Sequence, residues 1–152
     1  MRQQLNVALI GVGRMGMIHA AVLERIPGIR VVRVADVNLL AAAEVARRFE
    51  ASASTVEDAI AAAEVEAIVI STPTPTHEQL VLQAVEAGKP VFVEKPLAHD
   101  LPATDRIVAA VRATGTPVQV GFQRRYDPAI QEARRQIDDG ELGRVEGFRA
   151  VD

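Results

Sequence analysis

The sequence predicts a doubly wound α/β fold built on a parallel sheet, and three observations support this prediction. Short apolar segments alternate with segments whose apolar residues recur at helical spacing. The connections between them are so short that consecutive strands must be joined by right-handed helical crossovers. The apolar run at residues 67–70 is continuous rather than alternating, which is typical of a parallel strand covered by helices on both faces.

Glycine and proline residues set the predicted limits of the elements. Pro27 and Gly28 end the first helix, Gly88 and Gly115 end two later ones, and Pro102 lies in a first helical turn. The predicted strands are residues 5–10, 31–36, 66–71, 90–93 and 116–121. The predicted helices follow the glycine-rich segment 11–16 and then cover residues 38–50, 55–63, 76–88, 100–115 and 127–140.

Two of these helices have the spacing of a capping box at their start. Thr55 is followed three residues later by Asp58, and Thr76 by Gln79. In a capping box the threonine side chain accepts a hydrogen bond from the third residue's N–H. We therefore expect each threonine to be the N-cap of its helix.

Residues from 122 onward follow a different pattern. After the helix at 127–140, residues 145–151 alternate between apolar and polar, as in a half-solvated antiparallel strand. A strand that begins antiparallel architecture and has no successor would be an exposed edge. We therefore expect residues 1–121 to form one domain and residues 122–152 to be the incomplete beginning of a second, α+β domain.

Composition excludes several classes of function. The 152 residues include no cysteine, which rules out disulfides and thiol nucleophiles and suits a reducing cytoplasm. A net charge of −3 provides no electrostatic footprint for nucleic acid or an anionic membrane, and no apolar run approaches the ~18 residues of a membrane span. His19 and His99 lack partners at metal-ligand spacing, so no metal site is expected. We expect a cytoplasmic protein with a small-molecule substrate.

The segment 11–16 is a GxGxxG turn between a predicted strand and a predicted helix. Gly11 turns the chain off the strand, Gly13 lets the backbone approach a pyrophosphate, and Gly16 allows the helix to pack on the sheet. The phosphates would lie at the helix N-terminus, whose N–H groups are free. Arg14 and Met15, inside the turn, are predicted cofactor contacts as well.

Asp36 ends the second predicted strand, 20 residues after Gly16. A carboxylate there accepts hydrogen bonds from the adenosine ribose hydroxyls and repels a 2′-phosphate, which favours NAD over NADP. A methyltransferase would share both the glycine turn and the strand-end acid, so these two features leave that alternative open.

Further candidate residues follow the later strands, where doubly wound sheets bind their ligands. Thr72, Pro73 and His77 come after the strand at 66–71, and Glu94 and Lys95 after the strand at 90–93; all five are predicted cofactor contacts. Glu94 is expected to hold the Lys95 ammonium in place, and desolvation beside a substrate would help Lys95 in proton transfer. Gln123 and Arg124, after the last strand, are predicted substrate contacts, where a guanidinium suits a sugar or a carboxylate.

The chain carries three motifs in this order: Gly11-x-Gly13-x-x-Gly16, Ser-Thr-Pro-Thr-Pro-Thr-His at residues 71–77, and Glu94-Lys95-Pro96. Together they resemble the motifs of the Gfo/Idh/MocA oxidoreductase family. The resemblance spans essentially all of the chain, and methyltransferases have no reason to carry the third motif. Residues 120–127 look most like inositol 2-dehydrogenases and similar sugar or polyol dehydrogenases. Many inositol dehydrogenases have methionine where this chain has Gln123.

The resemblance implies NAD(P)-dependent oxidation of a secondary alcohol on a cyclic polyol or sugar, with Lys95 as the catalytic residue that polarises the reacting oxygen. In relatives the acid–base partners belong to a DxxxH motif of the second domain, whose sheet also forms homo-oligomers. We therefore expect this chain to bind NAD(H) without turning over substrate. The alternative is a catalytically silent NAD(H)-binding module. A reading frame that continues past Asp152 into DxxxH favours the enzyme, and a stop codon there favours the module.

Overall fold

The computed structural model describes residues 4–149, and a six-stranded parallel sheet organises the part of them up to Gly121. The strands lie in the order β3-β2-β1-β4-β5-β6. They are β1 (Leu5–Ile10), β2 (Ile29–Ala35), β3 (Ser52–Ser54), β4 (Ala67–Ile70), β5 (Val91–Glu94) and β6 (Val118–Gly121). The helices are α1 (Arg14–Leu23), α2 (Leu39–Arg48), α3 (Val56–Ala61), α4 (His77–Glu86), α5 (Leu101–Thr114) and α6 (Pro128–Asp138), with 3₁₀ turns at Thr74–Thr76 and Gln123–Tyr126.

The strand order reverses beside β1. From β1 the chain passes outward through β2 to β3, then returns to the other side of β1 for β4 and continues outward to β6. Each adjacent pair is parallel, so all six carboxyl ends meet at one edge of the sheet. The prediction of a doubly wound parallel sheet is confirmed. Ligands of such sheets bind in the crevice that opens at the reversal, here between the ends of β1 and β4.

Both faces of the sheet are covered by helices. On β1, Ala8 and Ile10 join the apolar core beneath α3, α4 and α5, whereas Val7 and Leu9 join the core beneath α1 and α2. Successive side chains of a strand point to opposite faces of the sheet. Where both faces are covered by helices, every side chain is buried, and the strand is apolar throughout. This explains the continuous apolar run at β4.

β3 is an edge strand that the sequence analysis did not identify. It contains three residues, two of them serine, and pairs only with β2 through Arg33 to Ser52 and Ala35 to Ser54. A segment this short and polar has no alternating apolar pattern. Its strand conformation comes from pairing with β2, and the β-propensities of its own residues do not indicate such a pairing.

The two predicted capping boxes differ in outcome. The side chain of Thr55 accepts a hydrogen bond from the N–H of Asp58, which confirms this N-cap. Thr76 directly precedes α4, as predicted, but it forms no capping hydrogen bond, because its hydroxyl lies 2.7 Å from Thr72 Oγ1 and 2.8 Å from the Pro73 carbonyl oxygen. Thr76 ends a 3₁₀ turn and already has helical backbone angles, whereas an N-cap residue needs an extended conformation.

Residues 122–152 form a compact unit of their own. Its helix, α6, begins at an N-cap, Asp127, whose carboxylate accepts hydrogen bonds from the N–H groups of Ala129 and Ile130. The predicted strand at 145–151 is wrong over residues 145–149, which have no regular structure, while residues 150–151 lie outside the described residues. Alternation specifies the faces of a strand, but a strand forms only where its backbone has a pairing partner.

Residues 1–121 are the other compact unit, with the division falling between Gly121 and Phe122. The apolar core described above lies within this unit. Among the helices of residues 4–149, none combines the length and apolar composition that crossing a bilayer requires.

Candidate cofactor and active site

The three glycines of the turn after β1 have different surroundings. Gly11 has a φ of +91°, and a Cβ there would lie 2.9 Å from the backbone of Ser71 and Thr72. A Cβ on Gly16 would lie 2.0 Å from the carbonyl oxygen of Gly11. A Cβ on Gly13 would meet no atom within 4 Å. Gly11 and Gly16 are therefore required by packing, and Gly13 presents bare backbone to open space.

Ser71 locks this turn to β4 and was not among the predicted site residues. Its hydroxyl is buried and donates a hydrogen bond to the carbonyl oxygen of Gly11 over 2.8 Å. The backbone of the turn is further held by the N–H of Gly11, which donates to the carbonyl oxygen of Ala35. A small hydroxyl residue directly after an apolar parallel strand is the sequence signal, but it does not reveal a partner 60 residues away.

The first turn of α1 is left open to an anion. Its N-cap is Gly13, which has no side chain to cap the helix, and its first turn contains no acidic residue. By contrast, α2, α3, α5 and α6 each begin with a side chain that accepts backbone N–H hydrogen bonds. The uncapped N–H groups and the positive end of the helix dipole favour phosphate oxygens. Arg14 is exposed and Met15 half-buried at this helix start.

Asp36 is bonded to the glycine turn itself. Its Oδ2 accepts a hydrogen bond from the N–H of Val12 over 2.8 Å, and its Oδ1 accepts one from the N–H of Asn38 over 2.9 Å. Each carboxylate oxygen has a second lone pair and can accept a further hydrogen bond. The carboxylate thus helps to shape the turn and retains acceptor capacity for a ribose.

Apolar side chains next to Asp36 are almost fully exposed. Val37 has 98% of its surface accessible, and Leu40 is exposed as well. Isolated exposed apolar residues are common, but these two follow Asp36 within four residues, at the carboxyl edge of the sheet. These side chains could pack against a planar ring of a ligand, a contact that the sequence did not predict. The signal in the sequence was an apolar residue directly after the strand-end acid.

The side chain of His77 lies between two loops at the carboxyl edge of the sheet. The side chain is 1% exposed, with Nδ1 2.8 Å from the carbonyl oxygen of Pro96 and Nε2 2.9 Å from that of Thr72. Both ring nitrogens thus lie within hydrogen-bond distance of backbone carbonyl oxygens, and the contact of His77 with a cofactor stays a prediction. His77 ties the loop after β4 to the loop after β5. Thr72 is half-buried and Pro73 is exposed in the first of these loops.

Glu94 does not hold the Lys95 ammonium. Its side chain is buried, with Oε1 2.7 Å from His19 Nε2 and Oε2 accepting a hydrogen bond from the backbone N–H of Lys95. Adjacent residues at a strand end point to opposite faces, which separates this carboxylate from the Lys95 side chain. Within residues 4–149 the ammonium of Lys95 has no hydrogen bond or ion pair, and the residue is exposed.

The two predicted substrate contacts belong to the second unit. Gln123 and Arg124 are exposed and lie in the 3₁₀ turn Gln123–Tyr126. In the same turn the Arg125 guanidinium lies 5.6 Å from the centre of the Phe122 ring. Among residues 4–149 no cluster of three or more histidine, aspartate or glutamate side chains could hold a metal ion.

The fold and the glycine turn define a dinucleotide-binding protein of the Rossmann class. The sequence profile described as "Oxidoreductase family, NAD-binding Rossmann fold" matches residues 5–122. The chain therefore belongs to the Gfo/Idh/MocA oxidoreductase family, which confirms the resemblance and the expectation of NAD as cofactor.

Among curated proteins, the chain is similar to an inositol 2-dehydrogenase of Rhodococcus erythropolis, with 45% identity over 93% of this chain and 42% of that protein. It is 38% identical to the scyllo-inositol 2-dehydrogenase (NAD(+)) of Bacillus subtilis, over 95% of this chain and 43% of that protein. A crystal structure of Lactobacillus casei scyllo-inositol dehydrogenase with bound NAD(H) and scyllo-inositol matches with a TM-score of 0.87 and 26% identity, over 93% of this chain and 43% of that one. The chain thus spans less than half the length of these relatives.

Proposed function

We propose that the chain is the cofactor-binding part of an NAD-dependent dehydrogenase that oxidises a secondary alcohol of a cyclic polyol such as inositol. The observation that carries this proposal is the open backbone at Gly13, at the uncapped start of α1, beside the carboxylate of Asp36. The similarity to inositol dehydrogenases supports the substrate class. We also propose a cytoplasmic location, which suits the absence of cysteine.

The residues present fit a dinucleotide. The N–H groups of Arg14, Met15 and Gly16 would bind the pyrophosphate, because the space in front of Gly13 is free and no side chain caps α1. Asp36 would accept hydrogen bonds from the adenosine ribose, with Val37 against the adenine. The loop of Thr72 and Pro73, fixed by His77, would border the remainder of the cofactor.

Lys95 is the candidate catalytic residue. The bound nicotinamide supplies the acceptor or donor of hydride. The exposed ammonium of Lys95, without a partner among residues 4–149, would donate a hydrogen bond to the reacting oxygen and stabilise negative charge on it. Glu94 would contribute by holding the peptide that carries Lys95. Gln123 and Arg124 remain the substrate contacts that the resemblance implies.

The first test is cofactor binding by the purified chain. NADH is expected to bind about tenfold or more tightly than NADPH, because the 2′-phosphate would lie against the Asp36 carboxylate. Asp36→Asn should reduce this preference, whereas Asp105→Asn, a control on the exposed side of α5, should leave it unchanged. Titrations followed by NADH fluorescence measure both constants. Equal or tighter binding of NADPH by the unmodified chain would contradict the role given to Asp36.

The second test concerns turnover. The chain spans less than half of its relatives, and the resemblance places the acid–base pair in the second domain. We therefore expect the purified chain to bind NADH and to form none from NAD and myo- or scyllo-inositol. Formation of NADH at 340 nm that depends on added polyol would show that the chain carries a complete active site.

A further inference from the structure

A partly buried pair of side chains links α1 to the end of β5. The Nε2 of His19 lies 2.7 Å from Oε1 of Glu94, and the other oxygen of Glu94 accepts the backbone N–H of Lys95 over 3.2 Å. We propose that His19 is a positioning residue for Lys95 that acts through Glu94. This inference rests on the proposed function, because it concerns the residue assigned there to the reacting oxygen.

The residues around His19 and Glu94 pack closely against the pair. The ring of Phe92 meets the His19 ring edge-on, with 5.2 Å between the centroids and 69° between the planes. A Cβ on Gly121 would lie 2.9 Å from Cζ of Phe92 and 3.4 Å from Oε1 of Glu94. Three elements, α1, β5 and β6, therefore surround the carboxylate, and an added side chain at Gly121 would crowd it. A buried carboxylate needs a hydrogen-bond donor, and His19 supplies it.

Removing the His19 ring would free the carboxylate on one side. Glu94 would then be bonded only to the adjacent N–H of Lys95, over a longer distance, and could rotate toward solvent. The peptide that carries Lys95 would lose its fixed orientation. In the proposed complex this peptide lies toward the nicotinamide, whereas Gly13 and Asp36 bind the ADP-ribose part, so the loss should affect the two parts of the cofactor unequally.

The test compares NADH with ADP-ribose, which contains the adenosine and pyrophosphate but no nicotinamide. His19→Leu is expected to weaken NADH binding about tenfold while changing ADP-ribose binding by less than about twofold. His19→Gln should restore NADH binding, because the glutamine amide also donates to a carboxylate. A role confined to packing would weaken both ligands together and would not be restored by glutamine.

A double variant tests the route through Lys95. If His19 acts on the cofactor by positioning Lys95, then in a Lys95→Met background His19→Leu should cause no further loss of NADH affinity. The proposal would be overturned if the losses of NADH affinity in the two single variants added fully in the double variant. It would also be overturned if His19→Leu weakened NADH and ADP-ribose binding equally, or weakened neither. If His19→Leu fails to fold, Glu94→Gln, which keeps the side-chain volume, must show the same selective loss. Failure of the unmodified chain to bind either ligand would instead refute the proposed function.

Discussion

Gly16→Ala is expected to unfold the first unit at room temperature or to lower its free energy of unfolding by more than about 3 kcal/mol. The added Cβ would lie 2.0 Å from the carbonyl oxygen of Gly11 and 3.0 Å from Oγ of Ser71. The first of these is a backbone atom in a turn that is bonded to both β2 and β4. Relief therefore requires moving α1 away from the sheet, since no flexible side chain can yield.

The matched control is Gly13→Ala, which adds the same methyl group three residues earlier in the same turn. No atom lies within 4 Å of that Cβ, so the free energy of unfolding should change by less than about 1 kcal/mol. NADH binding should nevertheless weaken about tenfold or more, because the methyl group occupies the approach to the α1 N-terminus. Urea unfolding followed by circular dichroism and NADH titration separate the two effects. An equal loss of stability in both variants would contradict the packing difference between the two glycines.

His77→Leu is expected to lower the free energy of unfolding by about 2–4 kcal/mol. The ring is buried, its nitrogens lie within 2.9 Å of the carbonyl oxygens of Thr72 and Pro96, and leucine offers no hydrogen-bond donor. A buried acceptor left without a donor costs roughly 1–3 kcal/mol. The measurement is again urea unfolding.

His99→Leu is the control for this variant. His99 is exposed and its contact with Asp100 is on the surface, where such pairs contribute about 0–1 kcal/mol. Its free energy of unfolding should therefore change by about 1 kcal/mol or less. If the His77 variant were no less stable than the His99 variant, the link between the two loops would carry no stabilisation.

The sheet and the glycine turn could be predicted because their signals are local. Apolar runs, the glycine spacing and Asp36 depend on residues within one strand–turn–helix unit. The same locality explains the correct N-cap at Thr55. At Thr76 the local spacing was satisfied, but prolines in the preceding segment placed that residue in a 3₁₀ turn instead.

The contacts of the site residues could not be predicted, because they join distant parts of the chain. His19 and Glu94 are 75 residues apart, and His77 reaches Pro96 across 19. Sequence proximity was misleading for Glu94, which was assigned to Lys95 because the two are adjacent. Glu94 follows Phe92 by two residues and therefore shares its face of the sheet, the face covered by α1 and α2. That face brings the carboxylate to His19.

Gly121 limits where the first unit can be joined to a different second domain. It is the last residue of the first unit and also the position whose missing side chain accommodates Phe92 and Glu94. A chimeric protein that joins residues 1–121 to a foreign second domain should therefore make its junction after Gly121 and keep that glycine. A junction that replaces it with a larger residue would disturb the Glu94 carboxylate, and through it the backbone of Lys95, even though the new domain itself is intact.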